Sequence, residues 1–150
     1  MDEQQVMEQS LNRSGALIDY LARHLRRRSE SALTPLGLRT RHLVALTVLR
    51  ERGEITQQDL AAALVLDSTN VVGLLNELER RGLAERRRSA QDRRRHVVSL
   101  TDDGVALLCQ AELALSVVED EVFAALDRPQ REQLHELLVA ATSSASAPFC

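Results

Sequence analysis

Aromatic residues are scarce in this chain of 150 residues, which contains two Phe, one Tyr and no Trp. Its hydrophobic fraction of 44% must therefore consist mostly of Leu, Val and Ala, and Leu and Ala favour helices. A chain of this length can bury a core of its own. We predict a single, mainly α-helical domain over residues 1–150.

Cysteine is nearly absent as well. The two cysteines, Cys109 and Cys150, form no C-x-x-C pair, and the four histidines are widely separated. This spacing supports neither a disulfide framework nor a metal site, and the sequence contains no phosphate-binding loop and no pairing of a nucleophile with a base. We therefore expect no cofactor, no metal and no enzymatic activity, and we expect Cys109 to be a core residue of a long helix.

Long apolar runs are also missing. The first ten residues, "MDEQQVMEQS", have neither the basic region nor the apolar run of a secretory signal. No later segment offers the roughly 18 uninterrupted apolar residues that a membrane span requires. We expect a soluble, cytoplasmic protein with no membrane partner.

Lysine does not occur, so all 19 basic residues are arginines. Twelve of them fall within residues 39–100, which carry a net charge of +4, whereas residues 101–150 carry −7. Because electrostatic fields act locally, the basic middle segment is the part suited to a polyanion. Arginine grips phosphates and base edges with a two-pronged fork, although an arginine-rich genome would explain the missing lysine equally well.

Apolar residues recur at helical spacing through residues 5–30 and again through 101–142. Between these segments, two short helices with a tight connection are predicted, which is the arrangement of a helix-turn-helix. The segments "LAERRR" and "HVVSLT" that follow can pair as antiparallel strands. Residues 35–100 are therefore predicted to form a winged helix-turn-helix with a small β-hairpin wing. The predicted N-cap residues are Thr56, Asp67 and Thr101.

The segments "TQQDLAAALVLDSTNVVGLLNELERRGLAERR", "DRRR" and "VSLTDDG" follow one another in this part of the chain. Together they resemble the MarR (multiple antibiotic resistance regulator) family of bacterial winged helix-turn-helix transcription factors. The resemblance implies a sequence-specific regulator that binds double-stranded DNA and is more often a repressor than an activator. It also implies a homodimer on a pseudo-palindromic operator, with a dimerisation region formed by the helices of residues 5–30 and 101–142.

Three segments are expected to contact DNA. The first turn of the second short helix would enter the major groove, the start of the preceding helix would meet a phosphate, and the hairpin tip would lie along the minor groove. The residues are Ser68, Thr69, Asn70 and Val72 in the first segment, Thr56 and Gln57 in the second, and Arg86, Arg88, Asp92, Arg93, Arg94 and Arg95 in the wing. Helix capping is the alternative role for the first two groups, and a solvated run of charge is the alternative for the third.

By the family pattern, Arg94 is the residue inserted into the minor groove, and Asp92 would orient its guanidinium group. Two positions depart from that pattern. Gly73 stands where many members carry an arginine that contacts DNA, and Asn76 stands where an aspartate is usual. The first departure removes an expected DNA contact.

The resemblance further implies that a small aromatic or phenolic effector releases the regulator from DNA. Such an effector would bind in the crevice between the first two helices and the winged domain, close to Tyr20, His24 and His42. The alternative function is a winged-helix module that binds an acidic protein partner and has no specific affinity for DNA.

Overall fold

The computed structural model describes residues 13–145 of the chain. They form α1 (Ser14–Leu33), α2 (Thr40–Arg52), β1 (Ile55–Thr56), α3 (Gln57–Leu64), α4 (Ser68–Arg80), β2 (Ala84–Arg88), β3 (His96–Leu100), α5 (Asp102–Val122) and α6 (Arg128–Ala145), with a 3-10 turn at Thr34–Leu36. The predicted fold class, mainly α with a β-hairpin wing on a helix-turn-helix, is confirmed. Residues 5–12 of the predicted first helix lie outside the described residues.

All three predicted N-cap residues begin their helices. The Thr56 hydroxyl accepts a hydrogen bond from the Asp59 N–H at 3.1 Å, and a carboxylate oxygen of Asp67 accepts one from the Asn70 N–H at 2.8 Å. The Thr101 hydroxyl accepts one from the Gly104 N–H at 3.0 Å. Each cap satisfies an amide that has no carbonyl partner in its own helix, so local chemistry defines where α3, α4 and α5 begin.

The sheet contains one strand more than the predicted hairpin. β3 pairs with β2 on one side and with the two-residue strand β1 on the other, both antiparallel, in the order β1-β3-β2. Two residues are too few to show the alternation by which strands are recognised in sequence. The pairing of Thr56 with Val97 matters for the surface described below, because it attaches the start of α3 to the wing.

Apolar residues on one side of α4 form the centre of the core. Val71, Leu74, Leu75 and Leu78 are all buried, as their spacing predicts. The side chains that complete the core come from α2, α3, β3 and α5 and include Leu46, Leu49, Leu60, Val98 and Leu108. Burial of each leucine contributes about 2 kcal/mol. Because α5 shares this core, the winged unit and the long helix form one packed body.

Cys109 does not belong to that core, so its prediction as a core residue was wrong. It is exposed on α5, next to the fully buried Leu108. One residue turns the side chain by about 100° around a helix, which places Cys109 away from the buried side. The apolar composition of α5 concealed this, because the helix carries apolar residues on both sides.

The outer helices keep apolar side chains exposed. On α5, Leu113 is 70% exposed although it lies in the middle of a helix of 21 residues. The other exposed aliphatic side chains on these helices are Leu17 and Ile18 on α1, Val105 and Val117 on α5, and Leu137, Leu138 and Val139 on α6. Exposed apolar side chains on several helices are expected where a protein-protein interface forms.

Gly104 brings the first turn of α5 against the backbone that enters β2. A Cβ atom at this position would lie 2.1 Å from the carbonyl oxygen of Leu83, a separation that real Cβ atoms do not adopt. The same carbonyl accepts a hydrogen bond from the Thr101 N–H at 3.1 Å, and the Thr101 hydroxyl donates to the Gly82 carbonyl at 2.6 Å. The start of α5 is therefore fixed directly to the base of the wing.

Gly104→Ala is expected to lower the free energy of unfolding by about 3 kcal/mol, the upper part of the range for overpacked sites, because backbone cannot move aside as a flexible side chain can. Urea denaturation followed by circular dichroism measures this change. Gly73→Ala is the matched control, since a Cβ there meets nothing within 4 Å, and it should stabilise α4 by about 1 kcal/mol. A Gly104→Ala variant as stable as the parent would contradict the close approach.

Candidate nucleic-acid interface

The first turn of α4 presents short polar side chains to solvent. Ser68, Thr69 and Asn70 are exposed, and Val72 is half-buried beside them. Asn70 takes part in the cap, because its side-chain nitrogen donates to the second carboxylate oxygen of Asp67 at 2.9 Å. In the part of the chain that the structure describes, no partner holds the hydroxyls of Ser68 and Thr69. Capping thus accounts for Asn70 and leaves the two hydroxyls available.

Gly73 lies on the exposed side of the same helix, one turn further along. Open space surrounds the position where its Cβ would be. A longer side chain here would project directly into solvent, so this position could carry a ligand-contacting arginine without any change in packing. With glycine at position 73, the exposed surface here consists of backbone atoms alone.

Arg86 is the residue whose position differs most from its expected role. Its guanidinium group donates to Gln57 Oε1 at 3.2 Å, to Asn76 Oδ1 at 2.8 Å and to Glu79 Oε2 at 2.9 Å. Arg86 and the buried Ala84 point to the same side of β2, toward the domain. Alternation places Ala84, Arg86 and Arg88 on one side of β2, so it predicts the side of Arg86 but not its partners. Arg86 is thus an internal link in this structure and not a free cation on the surface.

The other two arginines of β2 face solvent. Arg87 pairs with Glu54 at 2.5 Å, in the loop before β1. Arg88 is exposed, and no partner holds its guanidinium group among residues 13–145. Of the three consecutive arginines, one is internal, one is paired at the surface and one is free.

The tip of the wing is a closed turn held by short polar side chains. The Ser89 hydroxyl accepts from the N–H groups of Gln91 and Asp92 at 3.2 and 3.3 Å, and the Ser89 N–H donates to the Arg95 carbonyl at 2.9 Å. A carboxylate oxygen of Asp92 accepts from the Arg94 N–H at 3.0 Å, in an Asx-turn. These bonds give the tip a defined backbone conformation.

Asp92 does not orient the guanidinium group of Arg94, contrary to expectation. Its second carboxylate oxygen lies 3.6 Å from Nε of Arg95 instead, while its first holds the Arg94 backbone. A carboxylate two residues away reaches the backbone N–H more easily than the end of a long side chain. Within the described residues, the guanidinium groups of Arg93 and Arg94 have no acidic partner.

The wing and the start of α3 border one concavity. This cavity of about 140 Å³ is lined by Thr56, Gln57, Gln58, Arg94, Arg95 and His96. Two of the three segments predicted to contact DNA therefore meet, and β1 is the element that brings them together. The cavity combines amide and guanidinium groups, which suits a phosphate oxygen.

The match to known proteins is consistent with this geometry. Residues 38–96, from the start of α2 to the start of β3, match the model of the MarR family. The matched segment contains the helix-turn-helix and most of the wing, so this part of the chain is similar to the MarR family. The crystal structure of wild-type MarR from E. coli without ligand superimposes with a TM-score of 0.76 at 25% identity, covering 86% of this chain and 96% of that one.

Two further relatives extend the comparison. A mutant of MepR from S. aureus, in a structure bound to an oligodeoxyribonucleotide, is 26% identical with a TM-score of 0.67 and covers 89% of this chain and 98% of that one. The organic hydroperoxide resistance transcriptional regulator of Bacillus subtilis is 31% identical over 86 residues, which is 57% of this chain and 58% of that protein. The curated relatives are matched over only 42 to 58% of their own length.

The three residues expected near a MarR-type effector have different surroundings. His42 is 6% exposed: its Nδ1 accepts from the Arg39 N–H at 3.0 Å, and its Nε2 lies 2.7 Å from Glu77 Oε2. The cavity of about 360 Å³ beside His42 is lined by four arginines, Gly37 and Glu77 and includes neither Tyr20 nor His24. Those two rings stack on α1 with centroids 6.3 Å apart, and Tyr20 is 58% exposed.

Metal-ligand clusters and membrane-spanning segments are both missing from the described part of the chain. Over residues 13–145, no cluster of His, Cys, Asp and Glu could hold a metal ion. None of the helices in this range is both long enough and apolar enough to cross a membrane.

Glu77 is the acid that ties α4 to α2. Its carboxylate is hydrogen-bonded to the ring of His42. Both carboxylate oxygens also accept a hydrogen bond from Nη2 of Arg41 at 2.8 Å. The hydrogen bond with His42 and the charge of Arg41 together hold the pKa of Glu77 below its ordinary value of 4.5. A carboxyl group with a lowered pKa stabilises the fold above its unfolded-state pKa, and this contribution disappears as the pH falls through the folded-state pKa.

Glu77→Gln is expected to cost about 1 kcal/mol of stability at neutral pH, a value reduced because the side chain is 35% exposed. The difference from the parent should narrow as the pH falls below about 4.5, where Glu77 itself becomes protonated. Urea denaturation between about pH 3 and pH 7 measures it. Glu132→Gln, whose pair with Arg128 is exposed, is the control and should change little. An equal difference at both ends of the range would count against the assignment.

Proposed function

We propose that the protein is a transcriptional regulator that binds double-stranded DNA sequence-specifically as a homodimer. The observation that carries this proposal is the wing tip, where two arginines without acidic partners among the described residues stand on a turn fixed by Ser89 and Asp92. Like charges repel one another, so such an arrangement is costly unless a polyanion approaches. Because the turn is already ordered, binding would not have to pay for ordering it.

The minor groove is the proposed site of the wing. A narrow groove concentrates negative potential and attracts an inserted guanidinium group. Arg94 is the residue we assign to this insertion, with Arg93 and Arg95 beside it and Arg88 on the adjacent backbone. The MepR structure bound to an oligodeoxyribonucleotide supports DNA as the ligand of this fold.

The first turn of α4 is the proposed reader of the major groove. The hydroxyls of Ser68 and Thr69 can bond base edges or phosphates, and Asn70 can do so when it releases Asp67. Val72 offers apolar contact to a thymine methyl group. Thr56 and Gln57, across the wing cavity, would take a backbone phosphate. These contacts fix the orientation of α4 on the duplex.

A second copy of the chain is the proposed cover for the exposed apolar residues of α1, α5 and α6. Two winged units joined in this way would read half-sites about one helical turn of DNA apart, which explains the expectation of a pseudo-palindromic operator. The acidic balance of residues 101–150 keeps this part of the chain away from the phosphates. We place this non-enzymatic role in the cytoplasm, where the DNA of a bacterium lies.

Repression relieved by a small aromatic or phenolic effector is the regulatory part of the proposal and rests on the family. Such coupling is typically about 1 to 3 kcal/mol. Tyr20 is exposed and His24 is partly exposed, so this ring pair could stack on an aromatic compound. Both ring nitrogens of His42 are engaged within the domain, so Tyr20 and His24 are the residues that we propose for this contact.

Arg94→Ala should weaken operator binding by about 1 to 3 kcal/mol and reduce the slope of log K against log salt by about 0.9. The operator is first obtained by selecting bound fragments from the source genome, and affinity is then titrated at several salt concentrations. Arg94→Lys should lose nearly as much, because an ammonium group is more strongly hydrated and has no fork. Arg128→Ala makes the same charge change on α6 and should have little effect. Binding of an acidic protein in place of DNA would favour the interaction-module alternative.

Asp92→Ala should also weaken operator binding, by less than Arg94→Ala. The substitution makes the tip more positive, but it removes the acceptor of the Arg94 N–H and so loosens the turn that presents the guanidinium group. The same titration gives the sign of the effect. Tighter binding would mean that the wing acts only as a basic patch.

A further inference from the structure

We propose that Arg86 is a positioning residue of the DNA-binding surface, acting from beneath it and not on a phosphate. The inference rests on the proposed function, since it concerns how that surface is prepared for DNA. Its subject is a single guanidinium group that joins three elements: β2, on which Arg86 lies, the first residue of α3, and the outer side of α4.

The contacts of Arg86 are internal and involve both of its terminal nitrogens. Its side chain is 22% exposed, and its terminal nitrogens donate to Gln57 on α3 and to Asn76 and Glu79 on α4. The carboxylate of Glu79 balances the charge. A guanidinium group that is already paired inside the domain releases few counterions when DNA binds, so it should contribute little to the salt dependence of binding.

The chemistry of arginine fixes two neighbouring amides. A guanidinium group has only donors, so the side-chain atoms of Gln57 and Asn76 that face it must be their oxygens. The amide nitrogens of both residues are then turned away from Arg86. The orientation of a side-chain amide is ordinarily ambiguous, but here the donor-only partner decides it.

The consequence is clearest at Gln57. This residue borders the cavity between α3 and the wing, together with Arg94 and Arg95. With its oxygen held by Arg86, Gln57 offers a donor to an approaching phosphate. Without Arg86 the amide could rotate and present its oxygen, which would repel a phosphate. Arg86 thus determines that Gln57 presents its NH₂ group, and not its oxygen, to the cavity.

Arg88 provides a matched comparison on the same strand. It lies two residues further along β2, is exposed, and has no partner for its guanidinium group in the described part of the chain. If the two arginines had the same role, replacing either would change DNA binding in the same way. The proposal requires that they differ.

The test uses the full-length protein and its selected operator. Arg86→Met should weaken binding about tenfold with an unchanged salt slope, whereas Arg88→Met should lower the slope by about 0.9. Arg86→Lys should remain close to Arg86→Met, because one ammonium group cannot hold three acceptors in the geometry of a fork. Circular dichroism confirms that each variant is folded at the temperature of the titration.

A double-mutant cycle with Gln57→Ala tests whether Arg86 acts on DNA binding by positioning Gln57 or only by stabilising the fold. Each substitution lowers operator affinity by a certain factor. In the double variant, the loss of affinity should be at least about threefold smaller than the product of the two single factors. Arg88→Met should combine with Gln57→Ala independently. Full additivity for Arg86, a slope that falls by about 0.9 in Arg86→Met, or restored binding in Arg86→Lys would each overturn the proposal.

A measurement without DNA tests the role of Arg86 independently of the proposed DNA-binding function. In ¹⁵N–¹H spectra of the free protein, the side-chain NH₂ signals of Gln57 and Asn76 should shift in Arg86→Met and stay in place in Arg88→Met. Unshifted signals would overturn the role of Arg86 while leaving DNA binding intact. If the parent protein bound no duplex in a salt-dependent manner, the proposed function would fail, and the spectra would still show whether Arg86 orients the two amides.

Discussion

Two carboxylates on α4 determine how this helix sits in the domain. Glu77 is held by Arg41 and His42 of α2, and Glu79 is held by Arg86 of β2. The leucines of α4 supply most of the burial energy, but apolar packing is non-directional and tolerates some rotation about the helix axis. The paired acids lie on either side of the buried stripe and remove that freedom. The direction in which Ser68 and Thr69 point therefore depends on charges more than two turns away from them.

Arginine performs two separate tasks in this chain. Arg41, Arg81 and Arg86 are structural, since their guanidinium groups bond Glu77, the carbonyls of Leu36 and Gly37, and the cluster around Glu79, respectively. The guanidinium groups of Arg88, Arg93 and Arg94 have no acidic partner among the described residues. The rigid fork of arginine suits both tasks, because it can satisfy several acceptors inside a domain or grip a phosphate outside it. A chain without lysine thus obtains internal links and external cations from one residue type.

The features that could be predicted from sequence are local or periodic. The caps at Thr56, Asp67 and Thr101, the buried stripe of α4 and the hairpin all depend on residues a few positions apart. The features that were missed depend on contacts distant in sequence: β1 gains its strand character only from β3, and Glu77 contacts His42 at a separation of 35 residues. Cys109 was misplaced for a different reason, because α5 is apolar on two sides and its inner side could not be chosen without its neighbours. The predicted contacts with DNA and effector remain predictions.

The close approach at Gly104 makes a lever of α5. The helix has 21 residues, so at a rise of about 1.5 Å per residue it extends about 31 Å from the base of the wing. Because its first turn is fixed to the Leu83 carbonyl, the wing and the helix must tilt together. A tilt of about 5° at the wing would displace the far end of α5 by roughly 3 Å over that length. Conversely, the same displacement applied at the far end would rotate the wing by the same small angle. A single missing side chain would thus couple any movement among the outer helices to the angle of the wing.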